Sequence, residues 1–296
     1  MEKTHYRAYL SALSAMAIWS LTFVFFKIAN RTCPPFTIVF LRLLMASVFL
    51  VVVAIVTRRF ERIRRKDTGL FIILALVNPF LYFIAESTGL TLISATLTAV
   101  IVSTIPLFVP VGAWLFFRER MTLLNVTGLI ISFAGVMVVI VERDLTFRAS
   151  IPGVLIMFGA VLLAVSYTLL AKRLVRDYNS FTIVTCQNIV GTVLMVPLVL
   201  LFDLHKLKGI SFDAASVSSI VYLAVFGSSL AFILFNNSIR LIGAAKTDAF
   251  TNIIPVLTAV FAYLVLNEAI DLKKVTGIAI VLSGLFLSQL RPRYKI

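Results

Sequence analysis

The chain has 296 residues, 60% hydrophobic and only 14% charged, and its mean hydropathy is +1.05. A soluble domain averages about 25% charged residues, so a soluble fold is excluded, and the apolar runs neither alternate nor stop at the roughly 10 residues of a barrel strand. The net charge of +14 sits in short breaks between apolar runs, where loops facing anionic lipid carry it, which argues against nucleic acid as a partner.

The first predicted helix covers residues 8–26, which hold no charge. It lacks a small-residue cleavage pattern and so reads as a membrane span rather than a cleaved leader. Pro34 and Pro35 close the turn after it, because proline is tolerated in a helix's first turn, where its missing N–H has no partner to lose. The second helix, about 35–57, contains one charge, Arg42, and runs into the basic break RRFERIRRKD at 58–67. The third, about 68–87, is apolar up to Glu86, with Asn78 and Pro79 near its middle. The uncharged stretch 87–117 is longer than one span needs. It divides at Gly89–Ser94 into a tight turn and a fourth helix, about 95–117. A fifth helix, about 122–141, carries Gly128 and Gly135, and the charged turn 142–150 follows.

The second half repeats the scheme. Pro152–Gly153 opens the sixth helix, about 152–171, and the basic KRLVRD at 172–177 leads to the seventh, about 180–202. A polar loop at 203–216 precedes the eighth, about 217–237, which is expected to end in Asn236–Asn237. The ninth, about 243–266, holds Lys246 and Asp248 near its start, and the tenth, about 273–290, precedes the basic tail RPRYKI.

The two halves also match residue for residue. IPLFVPVGAWLFFRE at 105–119 recurs as IPVLTAVFAYLVLNE at 254–268, pairing Pro106 with Pro255 and Glu119 with Glu268 at an offset of 149. Gly128/Gly277 and Gly135/Gly284 keep that offset, while FTIV at 36–39 and 181–184 and Lys27/Lys172 keep one of 145. An internal duplication is therefore expected, with residues 1–147 and 148–296 as repeats of five helices each. With both termini cytoplasmic, 17 basic residues of the breaks and tails fall inside and 7 outside, the bias that sets orientation. An odd number of helices per repeat inverts the second copy, so Glu119 and Glu268 are expected on opposite sides. The predicted fold class is thus an all-α membrane protein of ten transmembrane helices in two inverted five-helix repeats, an architecture typical of secondary transporters.

Ionisable groups at membrane depth are costly and rarely face lipid. Arg42, Glu86, Lys246 and Asp248 are the four candidates, two of each sign, so they either pair to hold the bundle or line a solute path. Asn78, Tyr82 and Glu86, spaced i, i+4, i+8, share a face and read as cavity wall, with Pro79 bending the helix beside them. Trp19 lies mid-helix and joins this candidate set, as does Tyr222; Trp114, Tyr167 and Tyr263 read first as structural aromatics. Gly112, Gly128, Gly135, Gly277 and Gly284 read as close-packing points. Cys33 and Cys186 are too few and too distant for a disulfide framework or metal site, and no hydrolytic triad or phosphate loop is present. No enzyme, metal or cofactor is expected.

These features carry a resemblance. The start AIWSLTFVFFK at 17–27 and the twin Pro–Glu–Gly–Gly segments (Pro106, Glu119, Gly128, Gly135; Pro255, Glu268, Gly277, Gly284) resemble EamA-type transporters of the drug/metabolite transporter superfamily, over nearly the whole chain. The resemblance implies a central cavity formed mainly by helices one to four and six to nine, in a monomer or loose homodimer of the plasma membrane. It also implies a small-molecule solute, amino-acid-like or drug-like, often exported on a proton or counter-solute gradient. It places Trp19, Tyr82 and Glu86 on the cavity and Glu119 and Glu268 at helix ends or gates. The chain departs from the family pattern at Ser20, where Gly is common, and at Ala164, the repeat partner of Trp19. Two other functions stay open on the residues alone: an uptake carrier or exchanger of the same fold, and a lipid flippase or membrane scaffold.

Overall fold

The computed structural model describes residues 2–117, 122–140, 150–206 and 212–289. Among the described residues every regular element is helical: α1 (Glu2–Ala29), α2 (Pro35–Thr57), α3 (Thr68–Ala75), α4 (Tyr82–Leu92), α5 (Ala95–Val102), α6 (Ile105–Phe117), α7 (Leu123–Ile140), α8 (Ile151–Leu174), α9 (Ser180–Leu198), α10 (Ala214–Tyr222), α11 (Ala231–Ile242), α12 (Ala244–Asp248), α13 (Ile254–Leu266) and α14 (Leu272–Gln289). A π-helical turn, Leu76–Leu81, joins α3 to α4, and another, Leu223–Leu230, joins α10 to α11. A 3₁₀ turn, Ala249–Ile253, joins α12 to α13. Nine stretches among the described residues are long and apolar enough to cross a membrane. The 18-residue α14 is a tenth long helix. The chain is an all-α, multi-pass membrane protein.

The interruptions follow from proline chemistry. Proline lacks the N–H that would bond one turn back, and its ring crowds the carbonyl there. Pro79 falls inside the third span, and Asn78 before it leaves helical geometry altogether (φ −149°, ψ 121°), so this helix is broken rather than bent as expected. Pro106 and Pro255 occupy the first turns of α6 and α13, where the missing donor costs nothing. The predicted fourth and ninth helices are therefore each split just ahead of their proline.

Two predicted ends move. The third span continues through Gly89 to Leu92, and Gly89 faces α8, where a Cβ would run into the Met157 side chain. The eighth continues past Asn236–Asn237 to Ile242 and stops at Gly243, whose φ of +86° suits only glycine. Asn236 stays inside the helix because its buried amide finds a partner, described below. The polar loop predicted at 203–216 keeps helical geometry through Lys206 and gives way to α10 at Ala214; residues 207–211 lie outside the described ones.

Packing is reciprocal between the halves. Helix α1 packs on α10, α11 and α13, while α8 packs on α3, α4 and α6. Helix α2 packs on α9, and Ser47 Oγ meets Thr192 Oγ1 at 3.2 Å, two positions separated by the repeat offset of 145. Helices α7 and α14 form a pair at the periphery, where small residues let two backbones nearly touch. On the outside, Val48, Val52 and Ile55 of α2 form an exposed apolar stripe at helical spacing, a lipid-facing surface.

Helix starts are satisfied by distant carboxylates. Asp203 accepts from the Thr37 N–H at 2.9 Å and its hydroxyl at 3.1 Å. Asn179 caps α9 by accepting from the Thr182 N–H at 2.7 Å, while Glu61 accepts from the Asn179 N–H at 2.7 Å. Beside them Arg64 binds Asp67 at 2.7 Å and also Asp177 and the Tyr178 hydroxyl. These bonds, Asp67's first, raise its guanidinium further above its ordinary range.

Candidate functional site

The break in the third span sets the site. Asn78, Tyr82 and Glu86 are all buried and line a central cavity, with Trp19 and Thr22 of α1, Arg42 of α2, Tyr167 and Thr168 of α8, Phe232 and Phe235 of α11 and Asp248 of α12. About 60 Å³ of it is open to the centre of a water molecule. That is room for a few waters and no more, since a single site needs about 10–15 Å³ by this measure. The cavity is nearly closed in this conformation.

One charge pair anchors it. An Arg42 Nη1 lies 3.5 Å from Glu86 Oε2, and both side chains are almost fully buried. The rest of the guanidinium is held as firmly: its Nε donates to Ser228 Oγ at 2.9 Å, and its Cζ lies 3.8 Å over the Phe83 ring. The Tyr82 hydroxyl donates to Glu86 Oε1 at 2.9 Å, so both carboxylate oxygens are engaged. A cation desolvated to this degree is stable only with such a partner and such a ring. Ser228 is positioned by the π-helical turn, whose carbonyl at Gly227 accepts from Trp19 Nε1 at 3.2 Å. A Cβ on Gly227 would lie 2.8 Å from Thr22, so the turn could not sit this close to α1 with a larger residue.

The second half contributes a different set. The Tyr167 hydroxyl donates to Gln187 Oε1 at 3.3 Å and accepts from Asn236 Nδ2 at 2.9 Å. Asp248 accepts from the Thr168 hydroxyl through Oδ1 at 3.4 Å, and its Oδ2 has no hydrogen-bond partner among the described residues. Asn78 Oδ1 is likewise without one. The aromatic wall is continuous: Trp19 lies 4.9 Å from Phe232 and 5.1 Å from Phe235, and Tyr167 lies 5.5 Å from Phe232.

Of the residues singled out in the sequence, Trp19, Arg42, Asn78, Tyr82, Glu86 and Asp248 meet at the cavity. Tyr222 does not line it; half-buried, its hydroxyl donates to the Ile18 carbonyl at 3.3 Å. Lys246 is exposed and away from the cavity, two residues from Asp248 and on another face of α12. Glu268 accepts from the Ala95 N–H at 2.8 Å and the Thr96 hydroxyl at 2.7 Å, tying the end of α13 to the start of α5. Glu119 lies outside the described residues. Tyr167, which reads first as a structural aromatic in the sequence, lines the cavity, and Thr168 and Ser228 carry no such expectation there. The offset of 145 maps Tyr167 and Thr168 onto Thr22 and Phe23, which also line the cavity. No cluster of three or more His, Cys, Asp or Glu side chains suited to a metal occurs among the described residues.

The EamA-like transporter family matches this chain twice, over residues 6–141 and 151–290. An uncharacterized transporter of Archaeoglobus fulgidus is 28% identical over 272 residues, covering 92% of this chain and 95% of that protein. The uncharacterized transporter YvbV of Bacillus subtilis is 27% identical over 271 residues, covering 91% and 87%. A protein crystal structure with 16% identity superposes with a TM-score of 0.73 over 96% of this chain and 98% of its own, a likeness of fold. The double family match and the transporter relatives make the chain a small-molecule carrier of the drug/metabolite transporter superfamily, not an enzyme. Within that superfamily the chain belongs to the EamA-like transporter family.

Proposed function

We propose that this carrier is a secondary active transporter of the plasma membrane that exports a small, amino-acid-sized solute by alternating access, with both termini cytoplasmic. Residues 1–147 and 148–296 are its two five-helix repeats, crossing the bilayer in opposite senses. The reciprocal packing of α1 and α8, the self-matched Ser47–Thr192 contact and the excess of basic residues in the predicted inner breaks support this reading. Two like halves can exchange conformations and open a central site first to one side and then to the other.

The observation that carries the proposal is the placement of buried ionisable groups between the halves, Arg42 and Glu86 from one and Asp248 from the other, around one cavity. Trp19, Asn78 and Tyr82 contact the solute, and the carboxylates of Glu86 and Asp248 exchange it for a proton or a counter-solute. Glu268 acts at a helix end, and Glu119 takes the matching place in the first half. The carrier works as a monomer or loose homodimer. The ionisable and amide groups that face this cavity, Arg42, Asn78, Glu86 and Asp248, suit a small solute better than a lipid tail.

The test is flux into proteoliposomes across amino acids, nucleosides, polyamines and quaternary amines, with and without a pH gradient. Saturable transport of at least one solute is expected, and Glu86→Gln should weaken it, or its pH dependence, more than it lowers folded yield. Absence of flux for every solute overturns the proposal; equal loss of flux and yield makes Glu86 a structural partner of Arg42 alone.

A further inference from the structure

The geometry points to a protonated organic amine that retains N–H groups, attached to an apolar or aryl body, as the class of solute the central cavity takes. This rests on the transport reading above and sharpens it.

Charge balance comes first. Arg42 and Glu86 neutralise one another within the protein, and each is further occupied, Arg42 by Ser228 and Phe83 and Glu86 by Tyr82. Among the described residues Asp248 has no cation beside it: Thr168 supplies its one side-chain hydrogen bond, and Lys246 is exposed and does not line the cavity. With its carboxylate ionised, the cavity carries an unbalanced negative charge. A monocation cancels it, a zwitterion leaves it in place, and an anion doubles it. The carboxylate of a zwitterion would also set a second anion beside Glu86 at Arg42, the only cationic side chain among the described residues of the lining.

Hydrogen-bond balance narrows the class. Asp248 Oδ2 and Asn78 Oδ1 are buried acceptors without a donor among the described residues, on two residues that line the same cavity. Buried acceptors left unmet are destabilising, and a ligand that brings N–H groups relieves the cost. A primary ammonium brings three such donors. A quaternary ammonium brings none, and so satisfies the charge and not the acceptors. The walls complete the fit, because Trp19, Phe232, Phe235 and Tyr167 give an apolar body aromatic surface and a cation ring faces.

A matched series tests the inference on the full chain. Purified protein is titrated with 2-phenylethylammonium, its N,N,N-trimethyl counterpart, phenylalanine and 3-phenylpropanoate, by thermal shift and in proteoliposome flux. The primary amine should bind at least tenfold more tightly than each of the others, and Asp248→Asn should weaken it at least tenfold. Equal or tighter binding of phenylalanine, the propanoate or the quaternary ion overturns the inference, as does Asp248→Asn without effect or binding of none of the four. Should that variant fail to fold, the ranking on the unsubstituted protein decides alone. Saturable binding of the amine with no movement across the membrane removes the transport reading and leaves the ligand class; movement of phenylalanine in preference to the amine does the reverse.

Discussion

Arg42 and Glu86, on different helices of the first half, meet at 3.5 Å with side chains 2% and 8% exposed. Removing one partner of such a pair leaves an uncompensated charge in the bundle, at a cost of about 3–5 kcal/mol. Arg42→Gln and Glu86→Gln should therefore each lower the thermal midpoint in detergent. The double variant Arg42→Gln/Glu86→Gln should lose much less than the sum of the two. Strict additivity in this cycle would mean that the pair is not coupled.

Glu268 joins the end of α13 to the first turn of α5, where backbone N–H groups lack helical partners. Losing a cap of this kind costs about 0.5–2 kcal/mol. Glu268→Ala should lower the melting midpoint by a corresponding few degrees, and Thr96→Ala, which removes one of its contacts, by less. An unchanged midpoint for Glu268→Ala would show that the contact contributes nothing to stability and would leave only a gating role.

The proposed inversion is directly accessible. Arg31 and Arg176 stand 145 residues apart at matching places in the two repeats, and both are exposed. Arg31→Cys should react with a membrane-impermeant thiol reagent added outside intact cells, and Arg176→Cys only after the membrane is opened. The native Cys33 gives little background: burial, with Asp203 adding to it, pushes its thiol up to about 12, so it stays protonated at neutral pH. Cys186→Ala removes the other thiol. Labelling of both engineered sites from the same side would end the inverted-repeat reading.

Much of this arrangement was legible in the chain because the bilayer imposes few solutions. Long uncharged runs can only be helices there, and the Pro–Glu–Gly–Gly segments pointed to the family whose model matches the chain twice. The stripe Asn78–Tyr82–Glu86 pointed to the cavity wall because three polar groups on one face at membrane depth need a common polar neighbour. Lys246 and Asp248 look equivalent in sequence, yet one is exposed and the other lines the cavity, since two residues on a helix point about 200° apart. The π-helical turn that presents Gly227 and Ser228 left no sequence signal; its shape depends on Trp19, Thr22 and Arg42 packed against it from other helices.

The last prediction concerns the peripheral helix pair, where competing effects differ in sign. Gly128 and Gly284 face each other across α7 and α14: a Cβ on Gly128 would lie 2.5 Å from the Gly284 carbonyl oxygen, and a Cβ on Gly284 2.6 Å from that of Gly128. Gly135 and Gly277 repeat the relationship at 2.9 Å in both directions. Replacing a helical glycine by alanine ordinarily stabilises by about 0.5–1 kcal/mol. Here the new methyl meets backbone, which cannot turn aside, and overpacking of that kind costs about 1–3 kcal/mol. Gly128→Ala should therefore lower the thermal midpoint, whereas Gly159→Ala in α8, where a Cβ meets nothing within 4 Å, should raise it. Once Gly128→Ala has forced the two helices apart, Gly284→Ala should cost less than it does alone, so the double variant should fall short of additivity. Stabilisation by Gly128→Ala would instead mean that the helices part without penalty, and that the close approach of α7 and α14 is not what holds them together.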